Sequence, residues 1–313
     1  MLRPPSPASV TRRLAVPLLA AALVAACGGA AASPSPSAPA GPSSVDPTPV
    51  DPTPVIPLPS PTGAATYWLR LTTSQAVPPV NLFAFTPTVV IDGDGRSIVQ
   101  GAVPTVFPGP LVVPLVGRQV SARGRETILG WARELGLLSG QTDFTGGSSV
   151  PGGMTGRIEL TVDGGLVALT GLPDVSAPTP EPGSPQAFGE LWRRIANLPE
   201  TLPGELGPES PYTPTGYAVL VGPAPDPQGM PLSIMDWPLA QPLATFGGPV
   251  ANGTRRCGLV TGEDAATLAP VLAQATQLTQ WVQDPTTSAT FGLTVRPIVA
   301  GENPCLEVFG LAG

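Results

Sequence analysis

The stretch from Gly28 to Ala65 sets the outer limit on what this chain can fold into. It holds eleven prolines, including SPSPS and the tandem DPTPV-DPTPV, and almost no residue fit for a core. Each proline fixes φ and removes a backbone donor, so neither a helix nor a strand ladder can run through the segment. A disordered, extended Pro/Ser/Ala-rich linker over 27–65 is expected, with a reach of about 100 Å at about 3.1 Å per residue. Folding is then left to about 250 residues, enough for a substantial core in one domain or two.

From Thr66 onward the pattern changes. YWLRLT, TVVID, RSIVQ, a short segment near LVVPL, RIELTV and LVALT read as strands, mostly joined by Gly- and Pro-rich turns. One helix interrupts them within Ser121 to Leu138, where Ile128, Trp131, Ala132, Leu135 and Leu138 recur at helical spacing. A second proline-rich stretch, Leu172 to Pro185, separates this α+β unit, 66–172, from another over 185–313. That second unit opens on a helix started by Ser184 and Pro185 and ended at Asn197 before Pro199, with Phe188, Leu191, Trp192 and Ile195 on one side. YAVLVG follows as a strand. Thr261-Gly262-Glu263-Asp264 has the form of a capping box. The helix after it is expected to carry Leu268, Val271, Leu272, Ala275, Leu278 and Val282 on its core face, with Pro270 kinking it or shifting its start. TFGLTVRP then returns as a strand. The expected fold class is α+β: mainly antiparallel sheet with about three packed helices behind a proline-rich tether. A faint echo links TVFPGP, a helix with a tryptophan and RIELTV to TFGGPV, a helix with Trp281 and FGLTV. Chance and shared packing needs explain such an echo at least as often as duplication does, so the domain count stays at one or two.

Ahead of the linker stand a basic leader (Arg3, Arg12, Arg13), an apolar run from Leu14 to Ala22, and the small residues Val24-Ala25-Ala26 before Cys27. This arrangement resembles the lipobox of bacterial lipoproteins. The resemblance implies that residues 1–26 are a signal peptide that is removed and that Cys27 is acylated. The mature chain is then held in the lipid bilayer at the extracytoplasmic face of the cell membrane. An ordinary cleaved secretory signal is the plainer alternative. A transmembrane anchor fits less well, because Pro17 interrupts the run and no positive charges follow it. Arg12-Arg13 leaves general and twin-arginine export open.

All fifteen basic residues are arginine, and the formal net charge is −7. Loss of the leader removes three arginines and no acids, leaving 12 arginines against 22 carboxylates and a net charge of −10. Such a surface repels phosphate backbones, so no nucleic-acid partner is expected, and the acyl group rather than a basic patch supplies membrane contact. A GC-rich genome accounts for the arginine usage. Without histidine there is no Ser-His-Asp or Cys-His apparatus. Without lysine there is no Ser-Lys dyad, Schiff base or P-loop. Paired carboxylates, as in many glycoside hydrolases, or metal-bound Asp/Glu clusters remain as catalytic devices, although no spacing of acids singles out such a group.

Asp92-Gly93-Asp94-Gly95 begins like a calcium loop but has Arg96, Ser97 and Val103 where a ligand, a glycine and a bidentate glutamate belong. It reads instead as a hairpin turn, and Asp163-Gly164-Gly165 repeats the logic. No metal and no cofactor are expected. With Cys27 acylated and the compartment oxidising, Cys257 and Cys305 are expected to pair as a disulfide. The Gly-rich loop over 146–153 reads as a connection beside a surface cleft. Of the five tryptophans, Trp131, Trp192 and Trp281 fall on or beside apolar helix faces. Trp237, in the loop MDWPL, is the candidate for exposed ligand contact.

The block from TGEDAATLAPVLAQATQLTQW through LTVRPIVAGENPC, with DGDGR and FPGPL before it, is similar to secreted and lipid-anchored proteins of high-GC bacteria. That likeness implies an envelope protein and brings no activity with it. The function expected from the whole is a membrane-tethered binding or interaction module whose partner is an envelope protein or a glycan. A carboxylate-dependent envelope hydrolase and a structural envelope component are the alternatives.

Overall fold

The computed structural model describes residues 67–147, 153–175, 177–227, 229–283 and 289–311. The expected signal segment, Cys27 and the linker lie outside these residues, as does the middle of the Gly-rich loop, 148–152. All described residues belong to one compact unit spanning 54–313.

Alternation in YWLRLTTS forms β1 (Tyr67–Ser74), with Leu69 and Leu71 buried. One extra residue opposes the next strand at Trp68, a bulge that leaves the indole in the same core as Leu69 and Leu71. After the single turn α1 (Pro79–Leu82), β2 (Val89–Asp92) and β3 (Arg96–Gln100) form a hairpin. Its Asp-Gly turn closes through the Gly95 amide on the Asp92 carbonyl (3.1 Å) and the Arg96 amide on the Asp92 carboxylate (2.8 Å). The strand expected near LVVPL begins only at Leu115, as β4 (Leu115–Gln119), because Pro110 and Pro114 remove donors from the residues before it.

Helix α2 (Ala122–Glu134) starts where the Ser121 hydroxyl accepts the Gly124 amide at 2.9 Å. β5 (Asp143–Phe144) leads to the hairpin of β6 (Thr155–Val162) and β7 (Gly165–Gly171). Asp163 and Gly164 turn it with φ of +49° and +82°, the doubled left-handed geometry of a tight hairpin. Helix α3 (Pro185–Ala196) is capped by the Ser184 hydroxyl, followed by the turn α4 (Leu198–Thr201) and the edge strand β8 (Ser210–Tyr212). The eight strands form one sheet in the order β5-β7-β6-β1-β2-β3-β4-β8, antiparallel except for β5 with β7.

Both α2 and α3 bury their apolar faces on this first sheet, Ile128 and Ala132 from one, Phe188, Leu191 and Ile195 from the other. Gly156 and Gly171 face each other on β6 and β7, and their bare backbone seats the rings of Trp192 and Phe188. A Cβ at Gly171 would stand 2.5 Å from Phe188, so the close approach depends on the missing side chain.

The second sheet is built from β9 (Gly216–Pro223), β10 (Ile234–Asp236), β11 (Gly248–Val250), β12 (Arg255–Thr261), β13 (Gln280–Val282) and β14 (Thr290–Pro297). Its order is β10-β13-β14-β9-β12-β11, with β10 and β13 alone parallel. Helix α5 (Gly262–Leu272) packs Ala265, Leu268 and Leu272 on it. Two expectations are corrected here. Thr261 makes no side-chain cap, and the helix begins instead at Gly262 with φ +61°. The helix also ends two residues after Pro270, so Leu278 lies in a loop and Trp281 and Val282 in β13. The Ala275 carbonyl accepts the Leu111 amide (3.0 Å) and the Gly109 carbonyl accepts the Gln277 amide (3.1 Å), which draws the chain off the helical path.

The last helix, α6 (Pro304–Phe309), is capped by the Asn303 side chain on the Leu306 amide. A disulfide joins Cys257 on β12 to Cys305 on α6, with the two Cα atoms 5.7 Å apart. The fold is therefore α+β with mainly antiparallel sheets; three of its described helices, α2, α3 and α5, run longer than two turns. The echoed segments occupy different places. TVFPGP lies in the connection from β3 to β4, whereas TFGGPV runs into edge strand β11; Trp131 is helical and Trp281 is in a strand.

Candidate functional site

Residues two apart on β3 and β4 share a face, so Ser97 and Val99 stand beside Arg118 and Val116 across the ladder. This is the helix-covered face of the first sheet, but the helical cover stops short. Ile195, Leu198 and Pro199 at the α3–α4 junction, with Leu206 beyond it, overhang the floor formed by Val89, Val99 and Val116. Between them lies a cavity of about 460 Å³. Its polar lining is mostly neutral: Thr73, Thr86, Thr88, Ser97 and Gln100. The Ser97 hydroxyl donates to the Arg118 carbonyl at 3.1 Å, so its lone pairs remain to accept. The two charged groups neutralise one another, Arg118 Nη2 lying 3.0 Å from Glu209 Oε2 at the rim.

A second cavity of about 420 Å³ shares Phe85, Thr86 and Gln100 with the first and continues over Leu111, Gln277 and the β14 residues Leu293 and Val295. Phe85, 45% exposed, stands where the two cavities meet. The pair makes a partly apolar groove with an aromatic ring at its midpoint and, among the described residues, no charged side chain in its second half, each part within the size range of small-molecule sites.

The acids sort differently. Glu159 on β6 accepts from Arg70 Nε at 2.6 Å, from Arg157 Nε at 3.1 Å and from the Tyr67 hydroxyl at 3.1 Å. Arg70 also reaches Glu307 on α6 at 3.1 Å and lies 3.9 Å from Glu302, whose other partner is Arg296 on β14 at 2.6 Å. Burial pushes Glu159 up, but the Arg70 and Arg157 guanidiniums outweigh it and hold the carboxyl below its usual range. Burial pushes Glu302 up more than Arg296 beside it can offset. Two carboxyls with opposite shifts are the electrostatic pattern of an acid and its partner in glycoside hydrolysis. Here the Glu302 side chain is completely buried and every carboxylate of the cluster is bound to arginine. The cluster works as an ionic latch from β1 and β6 of the first sheet to β14 and α6. Among the described residues, Glu209 is the one carboxylate lining the groove.

The residues singled out by the sequence fall as follows. Cys27 lies outside the described residues. Cys257 and Cys305 are brought together. Trp237 is a correction: it is 5% exposed, its Nε1 donates to the Gln241 carbonyl at 2.9 Å, and it meets Phe246 and Trp281 edge-on. The loop folds inward because its aromatic face finds two rings to pack on, so no surface is left for a ligand. Asp92 to Gly95 form the turn, and the Arg125 guanidinium lies against Gly95. Among the described residues, no cluster of three His, Cys, Asp or Glu side chains is arranged to hold a metal, and no helix is long and apolar enough to cross a membrane. Phe85 is not singled out by the sequence, although an aromatic between alanine and Thr-Pro stands in the same kind of Pro-flanked loop as Trp237. No protein-family model, curated protein or solved structure matches this chain.

Proposed function

We propose that this protein is a lipoprotein held at the extracytoplasmic face of the cell membrane by acylated Cys27, and that its folded body is a binding module for an uncharged, partly apolar molecule. The leader and cysteine support the address. The groove around Phe85 carries the binding reading, because a concave surface with neutral hydroxyl and amide groups, apolar walls and a single self-neutralised ion pair favours a ligand without net charge. A glycan segment or a lipid-like chain of the envelope fits that chemistry, with its apolar face against the Phe85 ring.

Two measurements test the two halves separately. Intact mass of protein extracted from membranes should give a chain beginning at Cys27 with added acyl mass; residues 1–26 still attached, or an unmodified cysteine, removes the anchor. For the groove, the neutral fluorophore N-phenyl-1-naphthylamine should brighten on binding the full chain, and Val116→Trp or Val99→Phe, which fill the floor, should weaken this at least about tenfold, or about 1.4 kcal/mol. Equal binding by both filled variants while Leu166→Ala, on exposed β7 surface, abolishes it would place the apolar site elsewhere and refute the reading.

A further inference from the structure

The connection from β3 to β4, residues 101–114, carries an uncharged apolar tip. From Ser97 to Gly117 the sequence has no charged side chain, in a chain whose formal charge is −7. The limbs of the connection are fixed. At its base the Gly101 amide donates to the Pro114 carbonyl at 2.8 Å, and Leu111 and Val112 pack on the core of the second sheet. Pro104, Pro108, Pro110 and Pro114 set φ at four more points. Between the limbs Pro104 to Phe107 are all exposed. Val106 and Phe107, 68% and 63% exposed, are the two most exposed large apolar side chains among the described residues.

Two adjacent apolar side chains held out on a braced loop are stabilised only by something that covers them. A second protein is a poor match, because an aromatic residue buries about 150–250 Å² and a stable protein interface about 800 Å² per partner. A bilayer sets no such minimum. Insertion of an apolar tip gains in proportion to the surface taken from water and adds to whatever else holds the protein at the membrane. The backbone suits the same environment, since Pro104 and Pro108 bracket the tip and bring no N–H group that would need a partner among the lipids. The tip brings no carboxylate to the headgroups either.

We propose that Val106 and Phe107 insert into the interfacial layer of the bilayer that holds the chain, so that the folded body docks with this tip toward the membrane. The proposal rests on acylation of Cys27. Joined to that anchor through residues 28–66, the body meets the bilayer at high effective concentration, and a contact too weak to recruit a free protein is enough to orient a tethered one. Because the contact is apolar, salt does not screen it. Pro110 and Leu111, three and four residues beyond Phe107, line the second half of the groove. Docking therefore holds that half within about 15 Å of the headgroups, the span of four extended residues.

Phe107→Trp puts a fluorophore on the tip. The full chain extracted from membranes, its acyl mass confirmed, is reconstituted in phosphatidylcholine vesicles with and without lipid brominated in the acyl chains, and the unsubstituted protein supplies the background of its five tryptophans. The new indole of Phe107→Trp should shift its emission to the blue and be quenched by bromolipid, equally at about 0.05 M and about 0.5 M salt. Leu166→Trp, on exposed β7 surface, should stay unquenched. Adding Val106→Ser to Phe107→Trp should lower the ratio of quenched to unquenched protein at least about fivefold. An unquenched Phe107→Trp on an acylated chain overturns the insertion and leaves the anchor standing, and Phe107-dependent cross-linking between copies would then assign the tip to a second copy. Equal quenching at positions 107 and 166, or quenching lost at high salt, also overturns it. A chain without acyl mass removes the anchor and this proposal with it. Far-ultraviolet circular dichroism and melting curves on each variant separate lost docking from lost folding.

Discussion

Replacing Glu302 with leucine should cost this protein much of its stability, and replacing Arg296 with methionine in the same chain should return most of it. The Glu302 side chain is completely buried, and its Oε1 lies 2.6 Å from Nη2 of Arg296, itself only 6% exposed. Arg296 already has one buried donor, Nε, without a partner. Removing the carboxylate therefore leaves a guanidinium in a dry environment with neither counter-charge nor acceptor. Arg70 is spared, because Glu159 at 2.6 Å and Glu307 at 3.1 Å remain to it. Breaking a buried pair on one side costs about 3–5 kcal/mol, a large share of a typical stability of about 5–15 kcal/mol. Removing both charges abolishes the stranded group, so the double variant should lie within about 2 kcal/mol of wild type. Urea denaturation, which leaves ionic strength unchanged, reads this directly, provided the slope m is the same in all four proteins. A Glu302→Leu cost below about 1 kcal/mol, or a double variant equal to the sum of the two singles, would refute the argument.

Three further perturbations bear on other parts of the fold. The disulfide closes a separation of 48 residues, and converting Cys257 and Cys305 together to alanine should lower unfolding free energy by about 4 kcal/mol in the chain-entropy picture, read by urea denaturation; a loss under about 1 kcal/mol would mean that the closed loop stays ordered without it. Gly189 of α3 faces the Val175 carbonyl, on which a Cβ would collide, so Gly189→Ala should destabilise by about 3 kcal/mol or more, whereas Gly130→Ala on the open side of α2 should be neutral or stabilising in melting experiments. Glu159 and Glu190 both have folded-state values held below their usual range by arginines, so their stabilisation is present above the unfolded value of about 4.3 and is lost as pH falls through the depressed folded values. Glu302 works in the opposite sense, losing stability as pH rises from about 4.3 through its raised value. Denaturation midpoints from pH 3 to 7 should fall on the acid side, and Glu159→Gln should flatten that fall; an unchanged slope would dismiss the latch as its source.

What the sequence makes readable is what local chemistry decides. Asp163-Gly164 can take two left-handed residues in succession and so turns β6 into β7; Ser121 and Ser184 offer hydroxyls to free amides and so begin α2 and α3. The errors arise where distant residues decide. Leu278 and Val282 continue the helical period of α5, but the Gly109–Leu111 segment, more than 150 residues earlier, claims the hydrogen bonds of Ala275 and Gln277 and redirects the chain. Trp237 sits in a Pro-flanked loop that reads as surface, and only Phe246 and Trp281 make burial the lower-energy choice. The latch is the extreme case: Arg70 meets Glu307 across 237 residues, and neither position has a local signature.

The two devices that close the fold act on the same short segment. Residues 302–307 hold Cys305 and two of the three latch glutamates, Glu302 and Glu307, so this segment is fixed to β12 covalently and to β1 and β14 electrostatically. Phe83, just after α1, packs into the cluster that contains Cys305, with its ring 6.0 Å from Phe309. Phe85 lies two residues further along and stands at the middle of the groove. The ring is exposed, yet the backbone that presents it is anchored by Phe83 to the disulfide-bound tail. The proposed binding role predicts that fixing α6 holds this backbone in place and lowers the ordering cost of a ligand at the groove. On this reasoning the disulfide contributes to affinity as well as to stability, and reduction should weaken a ligand held at Phe85 while leaving the first sheet folded.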